Sequence, residues 1–172
     1  MKSLRDKLYM TSGYLSGLCI LLIMLIILAQ IVGRFFGFIV PSAEDFSGYA
    51  LAASTFFGLA YTFREGGHIR VTLVIQRLKH STRHYQELFI LILGLALVSY
   101  MTWYCSYMVW ESYVFEEVSY GYIPIPLWIP QTPVALGMLG LNLAVLDQLI
   151  AVLRGNKPSY ANHDDEIELE EI

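Results

Sequence analysis

No residue between positions 8 and 33 carries a charge, and the same holds for 46–63 and 88–110. A helix rises ~1.5 Å per residue, so even the shortest of these runs is ~27 Å long, close to the hydrocarbon thickness of a bilayer. A fourth apolar stretch runs from about 132 to 153 and carries Asn142 and Asp147. Composition agrees, with 56% hydrophobic and 15% charged residues, where a soluble domain is nearer a quarter charged. The fold class that follows is all-α integral membrane, with four transmembrane helices over about 9–32, 44–63, 88–110 and 132–153.

The first run follows Lys2, Arg5 and Lys7, as the core of a signal peptide would. It is far longer than the ~7–15 residues of such a core, and no small-x-small cleavage site follows it, so it reads as a retained span. Arg34 closes it, with Phe35, Phe36 and Phe38 at the expected interface. The second run opens on Ser42, Glu44 and Asp45, a cap signature whose carboxylates suit the positive end of a helix dipole. It closes on Arg64, and Gly66-Gly67 offers the left-handed stop that helices favour.

Beyond that stop, Val71, Val74, Ile75 and Leu78 recur at helical spacing, with Arg70, Thr72, Gln76, Arg77, Lys79 and His80 on the other face and Leu73 as the one exception. That pattern predicts a short amphipathic helix over about 68–80 lying in the membrane interface. Between the third and fourth spans, Pro124, Pro126 and Pro130 forbid a continuous helix and predict an irregular connector. Thr132-Pro133 then stands in the order preferred at a helix start. Residues 1–155 form the membrane domain by this reading. Residues 156–172 are an acidic tail with no apolar stripe, expected to be solvated.

Lysine and arginine fix the orientation. Three precede the first span, five lie from Arg64 to Arg83 and two follow the fourth span, against Arg34 alone on the other side. Both termini and the middle loop are therefore expected in the cytoplasm.

The residues that carry chemistry elsewhere are sparse or misplaced. His68, His80, His84 and His163 all fall in predicted cytoplasmic segments, so no histidine pair sits at the depth haem ligation needs. Cys19 and Cys105 lie singly in apolar runs, without metal-ligand spacing. Catalytic motifs are missing, and so is a basic patch away from the membrane flanks that could take nucleic acid. The chain reads as a non-enzyme without cofactor or metal. Asp147 is the exception, because an ionisable group inside a span is a functional candidate by default. It lies less than two turns before Arg154, near the inner boundary, where local pairing is the simpler role. In the second span Ala52, Ala53, Ser54, Gly58 and Ala60 would let another helix approach closely.

Four elements together resemble a known family: Arg34 closing the first span, Glu44-Asp45 opening the second, Phe57-Gly58-x-Ala60, and Arg64-x-Gly-Gly-His68-Ile69-x-Val71. They look like the small membrane subunit (DctQ-like) of tripartite ATP-independent periplasmic, or TRAP, transporters. Where that family commonly carries a tryptophan before the acidic pair, this chain has Pro41-Ser42-Ala43.

The resemblance implies a bacterial inner-membrane protein that braces a much larger, sodium-coupled membrane subunit. A periplasmic binding protein would deliver an organic acid of the C4-dicarboxylate or sialic-acid type. Arg34, Glu44 and Asp45 would then lie at the periplasmic boundary, and Arg64, His68 and Arg70 at the cytoplasmic one. Gly58 and Asp147 complete the set of candidate interface or anchor residues. Two other classes compete: a membrane enzyme or haem anchor, and a small self-sufficient exporter working as a homodimer.

Overall fold

A computed structural model of the chain describes residues 4–64 and 80–154. It holds four helices: α1 Leu4–Phe35, α2 Ala43–Arg64, α3 His80–Val114 and α4 Trp128–Leu153. Three of them are long and apolar enough to cross a membrane, over Lys7–Phe35, Leu88–Val114 and Trp128–Leu153. The length of α2 suffices too, but its alanine, glycine, serine and threonine content lowers its apolarity. The expected interfacial helix over 68–80 falls almost wholly outside the described residues. The tail lies outside them as well.

The helices pack in a row, in the order α1, α2, α4, α3. Helix α2 packs against both α1 and α4, α3 packs on the far side of α4, and α1 barely touches α4. A row rather than a ring leaves two edge helices and two broad faces. Chain direction makes α2 and α4 parallel neighbours, whereas α1–α2 and α4–α3 are antiparallel. One end of the row carries Glu44, Asp45, Glu111, Glu116 and Glu117, and the other carries Arg5, Lys7, Arg64 and Arg154. These are termed the acidic and basic ends.

Each seam is built from the residues its sequence supplies. Lipid is as apolar as leucine, so close packing and hydrogen bonds must join helices within a bilayer. At α1–α2 the joint is hydroxyl and glycine. The Ser16 hydroxyl donates to the Ser54 carbonyl at 2.8 Å, and the Ser54 hydroxyl donates to the Ser16 carbonyl at 3.1 Å. Ser12 donates to the Phe57 carbonyl one turn away. The large residues of α1, among them Leu18, Leu21, Leu25 and Leu28, stay exposed. They suit lipid.

At α2–α4 the joint is small side chains. A Cβ at Gly137 would stand 2.5 Å from the Phe56 carbonyl carbon, so only glycine admits that backbone. Next along the seam, a Cβ at Gly140 would meet that of Ala60 at 3.4 Å, and Ala60 and Ala144 are fully buried there with Tyr9. At α4–α3, Met138, Leu141 and Val145 pack against Leu95, Val98 and Cys105. Thr102 donates to the Met138 carbonyl at 3.3 Å, and the Asn142 amide donates to Ser99 at 2.8 Å.

Two helix stops at the acidic end share one device. After α1, Phe38 N–H reaches the Gly33 carbonyl at 3.0 Å and Gly37 N–H the Arg34 carbonyl at 3.3 Å, with Gly37 at φ +75°. That is the Schellman arrangement, with glycine at its left-handed position. After α3 the same pair of bonds joins Glu117 to Ser112 and Glu116 to Tyr113, with Glu116 at φ +50°. A glutamate holding that conformation is uncommon.

The start of α4 departs from expectation. Thr132-Pro133 does not open the helix, which begins at Trp128 with Pro133 inside it. Ile129 N–H turns back to the Pro126 carbonyl and Gln131 N–H to Leu127, which places Pro130 within the first turn, where a missing N–H is tolerated. The Thr132 hydroxyl bonds the Trp128 carbonyl rather than capping the helix.

Candidate functional site

The connector between α3 and α4 is more ordered than three prolines suggest. Ser119 N–H donates to the Ile125 carbonyl and Leu127 N–H to the Glu117 carbonyl, both at 2.9 Å, around an antiparallel bridge between Val118 and Pro126. The Ser119 side chain stiffens the interior by accepting from Ile125 N–H at 3.1 Å. Proline is tolerated here because both bonds around the bridge are made by the neighbours of Pro126, Ile125 and Leu127, so its missing N–H is not called on. At the hairpin's base, Ser112, almost wholly buried, donates to the Glu117 carboxylate at 2.8 Å. Tyr113 meets Trp128 edge to face, their rings 5.9 Å apart.

This hairpin folds over the start of α2. Ile123 N–H donates to the Ser42 hydroxyl at 3.0 Å. Gly121 lies so close to the Asp45 carboxylate that a Cβ there would overlap it, and Ser42 Oγ would be 3.1 Å away. Ser42 therefore does not act as the expected N-cap. It sits at φ +55° instead of the extended conformation of a capping residue, and its hydroxyl serves the other loop. Its carbonyl does open the helix, accepting from Phe46 N–H at 3.0 Å. Ser42 and Ala43 are buried, Asp45 is half-buried beneath the hairpin, and Glu44 and Arg34 are exposed. Tyr120 and Tyr122 at the tip are almost fully exposed.

A long-range bond ties the basic end. Tyr9 on α1, 4% exposed, donates its phenol proton to Asp147 Oδ2 on α4 at 3.1 Å. Ala60, Ala144 and Phe63 surround the Tyr9 ring.

The sequence-selected residues thus fall into separate places. Arg34, Glu44 and Asp45 gather at the acidic end, and Asp147 lies near the opposite one. Gly58 lies on the α1–α2 seam, where a Cβ would stand 3.2 Å from Ser16 Oγ. Arg64 ends α2 by its backbone, while His68 and Arg70 lie outside the described residues. Among the described residues no group of three histidine, cysteine or acidic side chains stands together as a metal site would require. Sequence reading missed Ser42 as a bridge, Gly121, Gly137 and Tyr9.

The family of tripartite ATP-independent periplasmic transporters, DctQ component, matches residues 23–155. The chain belongs to the DctQ family. The matched region takes in the acidic-end hairpin, the α2–α4 seam and Asp147, and begins after Tyr9, Ser12 and Ser16. A comparison with curated proteins gives no match. DctQ membership makes the chain a small component of a tripartite transporter and a multi-pass membrane protein, in a family of transporter components rather than enzymes. It leaves the self-sufficient exporter without support.

Proposed function

We propose that this DctQ chain is the static brace of its transporter. It crosses the bacterial inner membrane four times with α2 as the second span, both termini in the cytoplasm and the acidic end in the periplasm. There it would hold a large sodium-coupled permease subunit that imports an organic acid, of the C4-dicarboxylate or sialic-acid type, handed over by a periplasmic binding protein. Support for α2 as a span comes from its place between α1 and α4, each of which has the length and apolarity to cross.

One observation carries the proposal: polar side chains that meet across the α1–α2 and α4–α3 seams are committed to holding those helices together. Ser12, Ser16 and Ser54 join α1 to α2, and Thr102, Ser99 and Asn142 join α3 to α4. Groups spent in this way make a rigid scaffold, whereas a solute path needs polar groups turned toward a cavity. The clasped hairpin, with Tyr120 and Tyr122 at its tip, would be the firm surface a binding protein meets.

Proteoliposomes test the reading. The chain and the large subunit should co-purify, and together they should take up organic acid when binding protein and a sodium gradient are supplied. Uptake by this chain reconstituted alone would overturn it.

A further inference from the structure

We infer that the cleft between α1 and α2 at the basic end holds one acyl chain of an anionic phospholipid, whose headgroup Lys7 receives. The cleft has a volume of about 350 Å³ and is lined by Met10, Gly13 and Tyr14 of α1 and by Gly58, Tyr61 and Thr62 of α2. Glycines open it: a Cβ at Gly13 would already stand 3.1 Å from the Tyr61 ring, and one at Gly58 3.2 Å from Ser16 Oγ. Tyr14, 73% exposed, and Tyr61, 38% exposed, form its rims. Ser16 also lines it, and its hydroxyl is already engaged with the Ser54 carbonyl and hydroxyl. What remains for an occupant is apolar wall with two phenol rims.

Depth and charge select the occupant. From Met10 to Ser16 the α1 backbone rises only ~9 Å, within a single leaflet of a ~30 Å hydrocarbon core. A packed helix is 10–12 Å across and seats over several turns, so this short cleft suits a thin acyl chain better. Lys7 lies three residues before Met10 and seven before Tyr14, on the same helical stripe and one turn nearer the membrane surface. It is exposed, and Lys2 and Arg5 precede it in the sequence. A basic group above an apolar slot between helices complements a phosphodiester headgroup above its own tail. The inference rests on the bundle crossing a bilayer and does not depend on which side the basic end faces.

Native mass spectrometry of the full-length chain, released from detergent with dioleoyl phosphatidylglycerol or dioleoyl phosphatidylcholine, tests it. The wild type should retain one lipid, favouring phosphatidylglycerol about fivefold for one basic side chain at the headgroup. Lys7→Gln should erase that preference and still retain lipid. Thr62→Phe, which plugs the cleft from an exposed position, should lose retention of both lipids, and Tyr14→Ala, which removes a rim, should lose most of it. Thermal melts by circular dichroism check that the variants fold, and Tyr14→Ala stands in should Thr62→Phe not. Free glycerol 1-phosphate should fail to displace the lipid. Wild-type retention in both cleft variants, or an unchanged preference in Lys7→Gln, would overturn the assignment. So would displacement by glycerol phosphate, or a photo-crosslinker at position 14 capturing the large subunit in the assembled transporter instead of lipid.

Discussion

Tyr9 and Asp147, 138 positions apart in the chain, meet across 3.1 Å at the basic end. The bond joins the outer helix of the row to α4 over the top of α2, where Ala60 and Ala144 are small enough to leave the phenol a buried seat. Tyr9→Phe should therefore lower stability by about 1 kcal/mol, within the range for hydrogen bonds between membrane helices. Asp147→Leu should cost more, because it leaves the buried phenol without this acceptor. Unfolding titrations in mixed micelles measure both. Sodium-driven uptake per assembled complex should stay near wild type in each variant. Loss of uptake by a stable, fully assembled Asp147→Leu complex would give the carboxylate a part in transport itself.

The hairpin clasp gives a second expectation. Ser42→Ala removes the acceptor of Ile123 N–H and should cost about 0.5–1.5 kcal/mol. Gly121→Ala forces a methyl group into the Asp45 carboxylate and should lift the hairpin tip off α2. Hydrogen–deuterium exchange over residues 117–127 should speed up in both, with protection along the α2–α4 seam unchanged. Unaltered exchange at Ile123 in Ser42→Ala would show that the bond does not hold the loop.

How far the sequence exposes this architecture varies from residue to residue. Charge-free runs mark the long helices because a bilayer tolerates no unpaired charge or backbone, and that constraint acts residue by residue along the chain. Row order is not visible in the same way, since α2 and α4 become parallel neighbours only when α3 is placed outside them. Gly137 looks like any membrane glycine until the Phe56 backbone lies against it. Ser42 does look like a cap, and local chemistry alone supports that reading. Its left-handed backbone and its bond to Ile123, 81 positions away, are imposed by the hairpin. Thr132-Pro133 misleads for a related reason, because the turn from Pro126 already starts the helix before the preferred signal arrives.

Glu116 offers a prediction in the stabilising direction. It holds φ +50° at the stop of α3, where Gly37 serves at the equivalent stop of α1. A side chain in that region costs ~1–2 kcal/mol, which glycine avoids at the expense of greater freedom in the unfolded chain. Glu116→Gly should thus gain a few tenths to ~1 kcal/mol. A melting temperature below that of the wild type would show that the Glu116 side chain contributes more than its backbone costs.

Gly137 should be the least replaceable position in the row. A Cβ there would fall 2.5 Å from the Phe56 carbonyl carbon and 2.6 Å from its oxygen, so Gly137→Ala must push α2 and α4 apart. Backbone cannot rotate away as a flexible side chain could, and overpacking of this kind costs about 1–3 kcal/mol. Separating the central pair also strains the flanking seams and the Tyr9–Asp147 bond that spans it, since α1 packs chiefly on α2 and α3 on α4. The expected result is a reduced yield of folded chain and of its complex with the large subunit. Gly94→Ala, where a Cβ meets nothing within 4 Å, should leave both unchanged. Size-exclusion chromatography of co-expressed complexes reads the difference, and equal recovery of the two variants would mean that the α2–α4 seam is looser than its glycine contact implies.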